Sequence, residues 1–189
     1  MQPRAPTQWQ ILILEDNEDD ALLVINHLET QGWPIIWRRV DTANALKHAL
    51  NEREWDVVLS DYSMPLFGGA QALQAVRQHS EDLPFVYVSG TLGEKAAVEA
   101  IKAGAQDYIV KNDLQRLAPV IQRAVDERRA QKQHRLSSEL LRKLSQAVDQ
   151  TEDSIFITDC SGLIEYVNPA FERMTGYSAA EVTDRKSVV

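Results

Sequence analysis

Four stretches of this chain end an apolar run on a side chain able to do chemistry. ILILED closes on Glu15 and Asp16, VVLSD on Asp61, FVYVS on Ser89, and YIVK on Lys111. A carboxylate at the end of a buried run is costly unless something pairs with it. Two carboxylates held about 4 Å apart repel by roughly 4 kcal/mol at an effective dielectric near 20. Three acids converging on one rim therefore demand a cation, and oxygen ligands with retained waters suit Mg2+. Such an ion would neutralise an incoming phosphoryl group and align it for attack by an aspartate oxygen. Lys111 can hold a phosphoryl oxygen as a point charge. Ser89 can donate a hydrogen bond, and its movement would turn bound phosphate into a switch.

Taken singly, each residue has a plainer explanation. Glu15 and Asp16, with Glu18, Asp19 and Asp20, could simply favour a helix N-terminus. Asp61 could cap a helix, Lys111 could be solvated, and Ser89 before Gly90 makes an ordinary turn. The conjunction discriminates: acid pair, acid, hydroxyl and lysine all fall at the ends of apolar runs, in that order.

The elements that must position them are legible as an alternation. Apolar runs at Ile11–Leu14, Ile35–Trp37, Val57–Leu59, Phe85–Val88 and Tyr108–Val110 are separated by helical patterns. Those patterns carry Ala21, Val24, Ile25 and Leu28, then span Ala43–Leu50, Gly69–His79 and Glu94–Ala103, and a last helix starts near Asp113. Five strands alternating with five helices predict an α/β doubly wound parallel sheet covered on both faces. The runs lack polar alternation, as strands buried on both faces should. In such sheets, sites form outside the carboxyl ends of the strands.

Composition bounds the rest. The chain has 189 residues, a net charge of -8 and one cysteine, Cys160. The acidic balance argues against a broad nucleic-acid surface. No apolar run approaches the roughly 18 residues of a membrane span, and the opening MQPRAPTQWQ has no apolar signal core. A cytoplasmic setting is the expectation.

Beyond Pro119 the composition turns helical and polar as far as Gln150, with Leu140, Leu144 and Ala147 as a short apolar repeat. This reads as a linker helix, either pairing with a copy of itself or simply solvated. Pro119 sits easily in a first turn but would kink a helix begun at Asp113. After Thr151, Ile155–Thr158 and Leu163–Val167 predict a hairpin around Asp159-Cys160-Ser161-Gly162. Asn168-Pro169 predicts a capped helix start.

Through ILILEDNEDD, VVLSDYSMPLFGG, FVYVSGT and AGAQDYIVKNDL the chain resembles the receiver domain of two-component response regulators. The resemblance covers about residues 9–125 and implies a flavodoxin-like sheet ordered 2-1-3-4-5. It implies Asp61 as phosphoacceptor, with Glu15, Asp16, Asp61 and the backbone carbonyl of Ser63 binding Mg2+. Ser89 matches the switch hydroxyl, Lys111 the phosphate-contacting lysine, and Tyr108 the aromatic residue that swings inward with the hydroxyl. Met64-Pro65 and Gly68-Gly69 match the loop and turn after the site. Asn112 stands where receivers usually have a proline, so a trans peptide bond is expected there. DSIFITDCSGLIEYVNPAFERMTGYSAAEV resembles the beginning of a PAS domain, a partial α+β segment over residues 151–189, with 126–150 as linker helix. The closing residues 183–189 do not continue that pattern.

The implied function is a phosphoryl-accepting switch in a two-component phosphorelay, with a sensor histidine kinase or phosphotransfer protein as donor. The resemblance also allows a homodimer through the fourth helix, fifth strand, last helix and linker. The alternative is a phosphorylation-independent pseudo-receiver acting as a protein-interaction module. An enzyme on the same fold is disfavoured: an aspartate-nucleophile phosphatase would carry a second aspartate where Ser63 stands, and no phosphate-cradling glycine motif is present.

Overall fold

A computed structural model describes residues 8–65, 67–90 and 93–183. The first seven residues, Thr91 and Leu92 of the VSGTLGE stretch, Leu66 of the PLFGG turn, and the tail from Asp184 lie outside the described residues. The described chain falls into two compact units, one running through Gln131 and one starting at Lys132.

The first unit alternates strictly. β1 (Trp9–Leu14), β2 (Ile35–Val40), β3 (Val57–Ser60), β4 (Phe85–Ser89) and β5 (Asp107–Val110) are separated by α1 (Glu18–Thr30), α2 (Ala43–Glu52), α3 (Gly69–His79) and α4 (Glu94–Lys102). The strands form one sheet ordered β2-β1-β3-β4-β5, and every neighbouring pair is parallel. This is the doubly wound order that the family resemblance implied.

Successive strand residues point to opposite faces, and here both faces are apolar. Leu12, Leu14, Val58, Phe85 and Tyr87 pack against Leu46 and Leu50 of α2 and Leu73 and Val76 of α3. Ile11, Ile13, Val57, Leu59 and Val88 pack on the other side against Val24, Ile25 and Leu28 of α1 and the buried residues Leu117 and Ile121. Burial on both faces explains why the strand runs lack polar alternation.

Several boundaries differ from the sequence reading; β2, for one, runs on past Trp37 to Val40. β1 begins at Trp9, because its N–H donates to Pro34 O at 2.7 Å and its ring stacks on Trp33 with centroids 4.2 Å apart. The last helix does not start near Asp113. Residues Lys111–Arg116 form a 3-10 segment in which Asp113 is non-helical (φ -130°, ψ 52°), and α5 runs from Leu117 to Gln150. Pro119 thus falls in the first turn, where its missing N–H costs nothing. Among the described residues no peptide bond is cis, including the one before Asn112.

In the second unit β6 (Phe156–Thr158) and β7 (Ile164–Val167) pair antiparallel, followed by α6 (Pro169–Thr175) and α7 (Ala179–Val182). Asn168 caps α6 with its side chain, and Pro169 occupies the first turn as expected. Among the described residues no helix is long and apolar enough to cross a membrane.

Candidate phosphoryl-transfer site

The sheet brings the acids together by ending β1 and β3 side by side. Asp61 N–H donates to Leu14 O at 2.8 Å and Glu15 N–H to Val40 O at 3.1 Å, so the ladder extends one residue past each strand. Carboxylate oxygens of Glu15, Asp16 and Asp61 all lie within 4.8 Å of one another. Glu15 is buried and Asp16 exposed. Asn17 starts α1, accepting from Asp19 N–H at 2.9 Å and donating its own N–H to Glu15 Oε1 at 3.3 Å. That cap starts α1 directly after the acid pair.

Lys111, from the end of β5, reaches across to this cluster. Its Nζ donates to Glu15 Oε2 at 2.8 Å, Asp20 Oδ2 at 2.6 Å and Asp61 Oδ2 at 3.4 Å. Burial alone would push the ammonium down, but hydrogen bonds to Asp20 and Glu15 and the charges of Glu15 and Asp61 hold it above the ordinary lysine value. Burial pushes Glu15 above the ordinary carboxylate value, with Lys111 pulling it down and the Asp61 charge pushing it up. A carboxylate that is buried and crowded in this way gains from a cation. Three carboxylates with no nitrogen or sulfur donor make a hard, oxygen-only set, which fits Mg2+.

The other expected residues lie on the loop after β3 and on β4 and β5. Ser63 N–H donates to Asp61 Oδ1 at 3.2 Å, which places the Ser63 backbone against the aspartate. Ser89 is buried at the end of β4, in register with Val110, the residue before Lys111. Tyr108 is 8% exposed and its ring lies 6.0 Å from that of Tyr62 and 6.2 Å from that of Tyr87. Its ring is thus packed among aromatic side chains. A cleft of about 150 Å³ lined by Asp16, Asp41, Thr42, Met64 and Pro65 opens beside the acids. The larger clefts, about 400 and 430 Å³, lie along α2 and α3 and include none of these residues.

Two contributors were not singled out from the sequence. Asp20 stands on the first turn of α1, where an acid reads as a response to the helix dipole. Arg39 lies in β2, and its Nη1 donates to the carbonyls of Glu15 at 3.0 Å and Asp16 at 3.3 Å. The only sequence signal for Arg39 was a charged pair, Arg38-Arg39, extending an apolar strand.

Known proteins are similar to this chain in sequence and fold. The response regulator receiver domain model matches residues 11–122, and a PAS domain model matches residues 142–188. The transcriptional regulatory protein YxdJ of Bacillus subtilis is 38% identical over 102 residues, 54% of this chain and 43% of that protein. The DNA-binding transcriptional regulator NtrC of Proteus hauseri is 31% identical over 141 residues, 74% of this chain and 29% of that protein. The chain thus spans less than half the length of these relatives. Among solved structures, the receiver domain of NtrX from Brucella abortus superposes with a TM-score of 0.56 at 30% identity, over 61% of this chain and 98% of that one. With the receiver model covering more than half of its length, the chain belongs to the response regulator receiver family and carries a PAS-type segment behind the receiver.

Proposed function

We propose that this receiver is a phosphoryl-accepting switch whose phosphoacceptor is Asp61. The observation that carries it is the meeting of Glu15, Asp16 and Asp61 oxygens within 4.8 Å beside the Lys111 ammonium. Glu15, Asp16, Asp61 and the Ser63 carbonyl would hold Mg2+, which supplies charge neutralisation for the phosphoryl oxygens when bound.

An Asp61 oxygen attacks the phosphorus of a phosphohistidine on a sensor kinase or phosphotransfer protein. The P–O bond forms as the P–N bond breaks, and the imidazole leaves with its electron pair. Lys111 keeps a positive charge beside the reacting oxygens, held there by Glu15. Ser89 offers its hydroxyl to the bound phosphoryl group, and Tyr108 packs in the space behind it. Small donors such as acetyl phosphate serve the same attack. Return to the resting state is attack of water on phosphorus, which restores the Asp61 carboxylate and releases phosphate.

The division that goes with this is a receiver at residues 9–125, a linker helix at 126–150 and a PAS-type segment at 151–189, in a cytoplasmic protein. The exposed α4 residues Val98 and Ile101, and Leu136, Leu140 and Leu144 along α5, are apolar surface for a homodimer. Radiolabelled acetyl phosphate with Mg2+ tests the site. Wild-type protein takes label and Asp61→Asn takes none; label at an undiminished level in that variant refutes Asp61. A wild-type chain that takes no label supports the phosphorylation-independent interaction module.

A further inference from the structure

The Lys111 ammonium has three donors, and three carboxylates take them. The contacts rank Asp20 at 2.6 Å, Glu15 at 2.8 Å and Asp61 at 3.4 Å. The proposed phosphoacceptor has the longest of the three. The shortest goes to a residue outside the metal-binding set, on a different element from any of the expected site residues. Asp20 is the third residue of α1, close to a helix end that favours a carboxylate. Its side chain is 40% exposed whereas that of Lys111 is 8% exposed, so Asp20 covers the ammonium from the solvent side.

We infer that Asp20 is a positioning residue that holds Lys111 in a resting position and competes with the phosphoryl group for its ammonium. The inference rests on the reading of Asp61 as phosphoacceptor. A phosphoryl group on Asp61 gains Lys111 only as the Asp20 contact lengthens, so Asp20 raises the threshold for occupation of the site. Glu15 does not play this part, because it also serves the cation that phosphorylation requires. Asp19 does not either: it is exposed, and Lys111 makes its ion pairs to Glu15, Asp20 and Asp61.

The test is binding of beryllofluoride in the presence of Mg2+ to the wild-type chain, Asp20→Asn, Asp20→Ser and Asp19→Asn. The wild type must bind; if it does not, the phosphoacceptor reading itself fails. Loss of a charge-assisted, partly exposed contact is worth about three- to tenfold in affinity, so both Asp20 variants are expected to bind tighter by that factor. Asp19→Asn removes the same charge one residue away and is expected to stay within twofold of wild type. Asp20 variants that bind no tighter than wild type overturn the inference. An equal gain in Asp19→Asn overturns it too, since the effect would then be one of net charge alone. A second readout needs no phosphoryl mimic. The Lys111 ammonium resonance, protected from solvent exchange in the wild type, broadens in Asp20→Asn; unchanged protection is the contrary result.

Discussion

A β-carbon placed on Gly69 would lie 2.9 Å from the carbonyl oxygen of Asp61. The N-terminus of α3 thus presses directly on the backbone of the proposed phosphoacceptor. The same β-carbon would come within 2.6 Å of Tyr87 Cε1, on a ring buried among Phe85, Tyr62 and Tyr108 with no space to retreat. Gly69→Ala is therefore expected to cost about 1–3 kcal/mol of stability and to slow phosphorylation by shifting Asp61. Gly68→Ala, with nothing within 4 Å of its β-carbon, is the control. Chemical denaturation and a phosphorylation time course on both variants check the pair.

Magnesium should stabilise the folded receiver, because it binds only where the three acids have been brought together. At tenfold excess over its dissociation constant a ligand of this kind adds about 1.4 kcal/mol, or a few degrees in melting temperature for a chain of this size. Asp16→Asn should abolish the rise while leaving the fold intact, since Asp16 is exposed. Thermal unfolding with and without MgCl2 provides the comparison, and an equal rise in the variant would contradict it.

Asn168 is fully buried, and its amide is saturated. Oδ1 accepts from Ile155 N–H at 2.9 Å and Phe171 N–H at 3.0 Å, while Nδ2 donates to Val148 O at 3.1 Å and Asp153 O at 2.9 Å. One side chain joins the end of α5, the following turn, the start of β6 and the first turn of α6. Asn168→Ala would strand several backbone groups, at about 1–3 kcal/mol for each left without water. Hydrogen exchange should accelerate across residues 148–171 in that variant and stay unchanged in the β1–β5 sheet.

The β6–β7 turn should loosen in acid. Asp159 accepts from Leu163 N–H at 2.8 Å, from the Ser161 hydroxyl at 2.9 Å and from Ser161 N–H at 2.9 Å. These bonds, the Leu163 amide foremost and the Ser161 hydroxyl next, hold its carboxyl below the usual 3.8. A depressed folded value means that the support is fully present above pH 3.8 and is lost as the pH falls through the lower, folded value. Amide resonances of Ser161 and Leu163 followed through an acid titration should move with a midpoint below 3.8. A midpoint at or above that value would remove the basis for the claim.

The sheet was readable because Ile11–Leu14, Val57–Leu59 and Phe85–Val88 are buried on both faces, which leaves no polar residue inside a run to blur it. The acids were readable because chain order puts them where those runs stop. Asp20 and Arg39 were not, for one reason: each acts across elements. Asp20 meets a lysine 91 residues away, and Arg39 supports the acid pair from the neighbouring strand 23 to 24 residues on. Local sequence around Asp20 shows only an acidic helix start, and around Arg39 only charge on an edge strand. Tyr108 was identified through family likeness. Its present position, against Tyr62 and Tyr87, depends on ring packing that periodicity cannot foresee.

Pro119 has an effect that reaches beyond its own turn. In an α-helix its ring would strike the carbonyl of residue 115, so growth of α5 backward toward Lys111 would kink it, at about 3 kcal/mol. The six residues Lys111–Arg116, with Asp113 already out of helical geometry, are the slack between the lysine and the helix. A shift of Lys111 is expected to be taken up there rather than by winding or unwinding α5. A rearrangement at the proposed phosphorylation site would then meet the long helix sideways, at the packed face of Leu117, Ile121 and Val125.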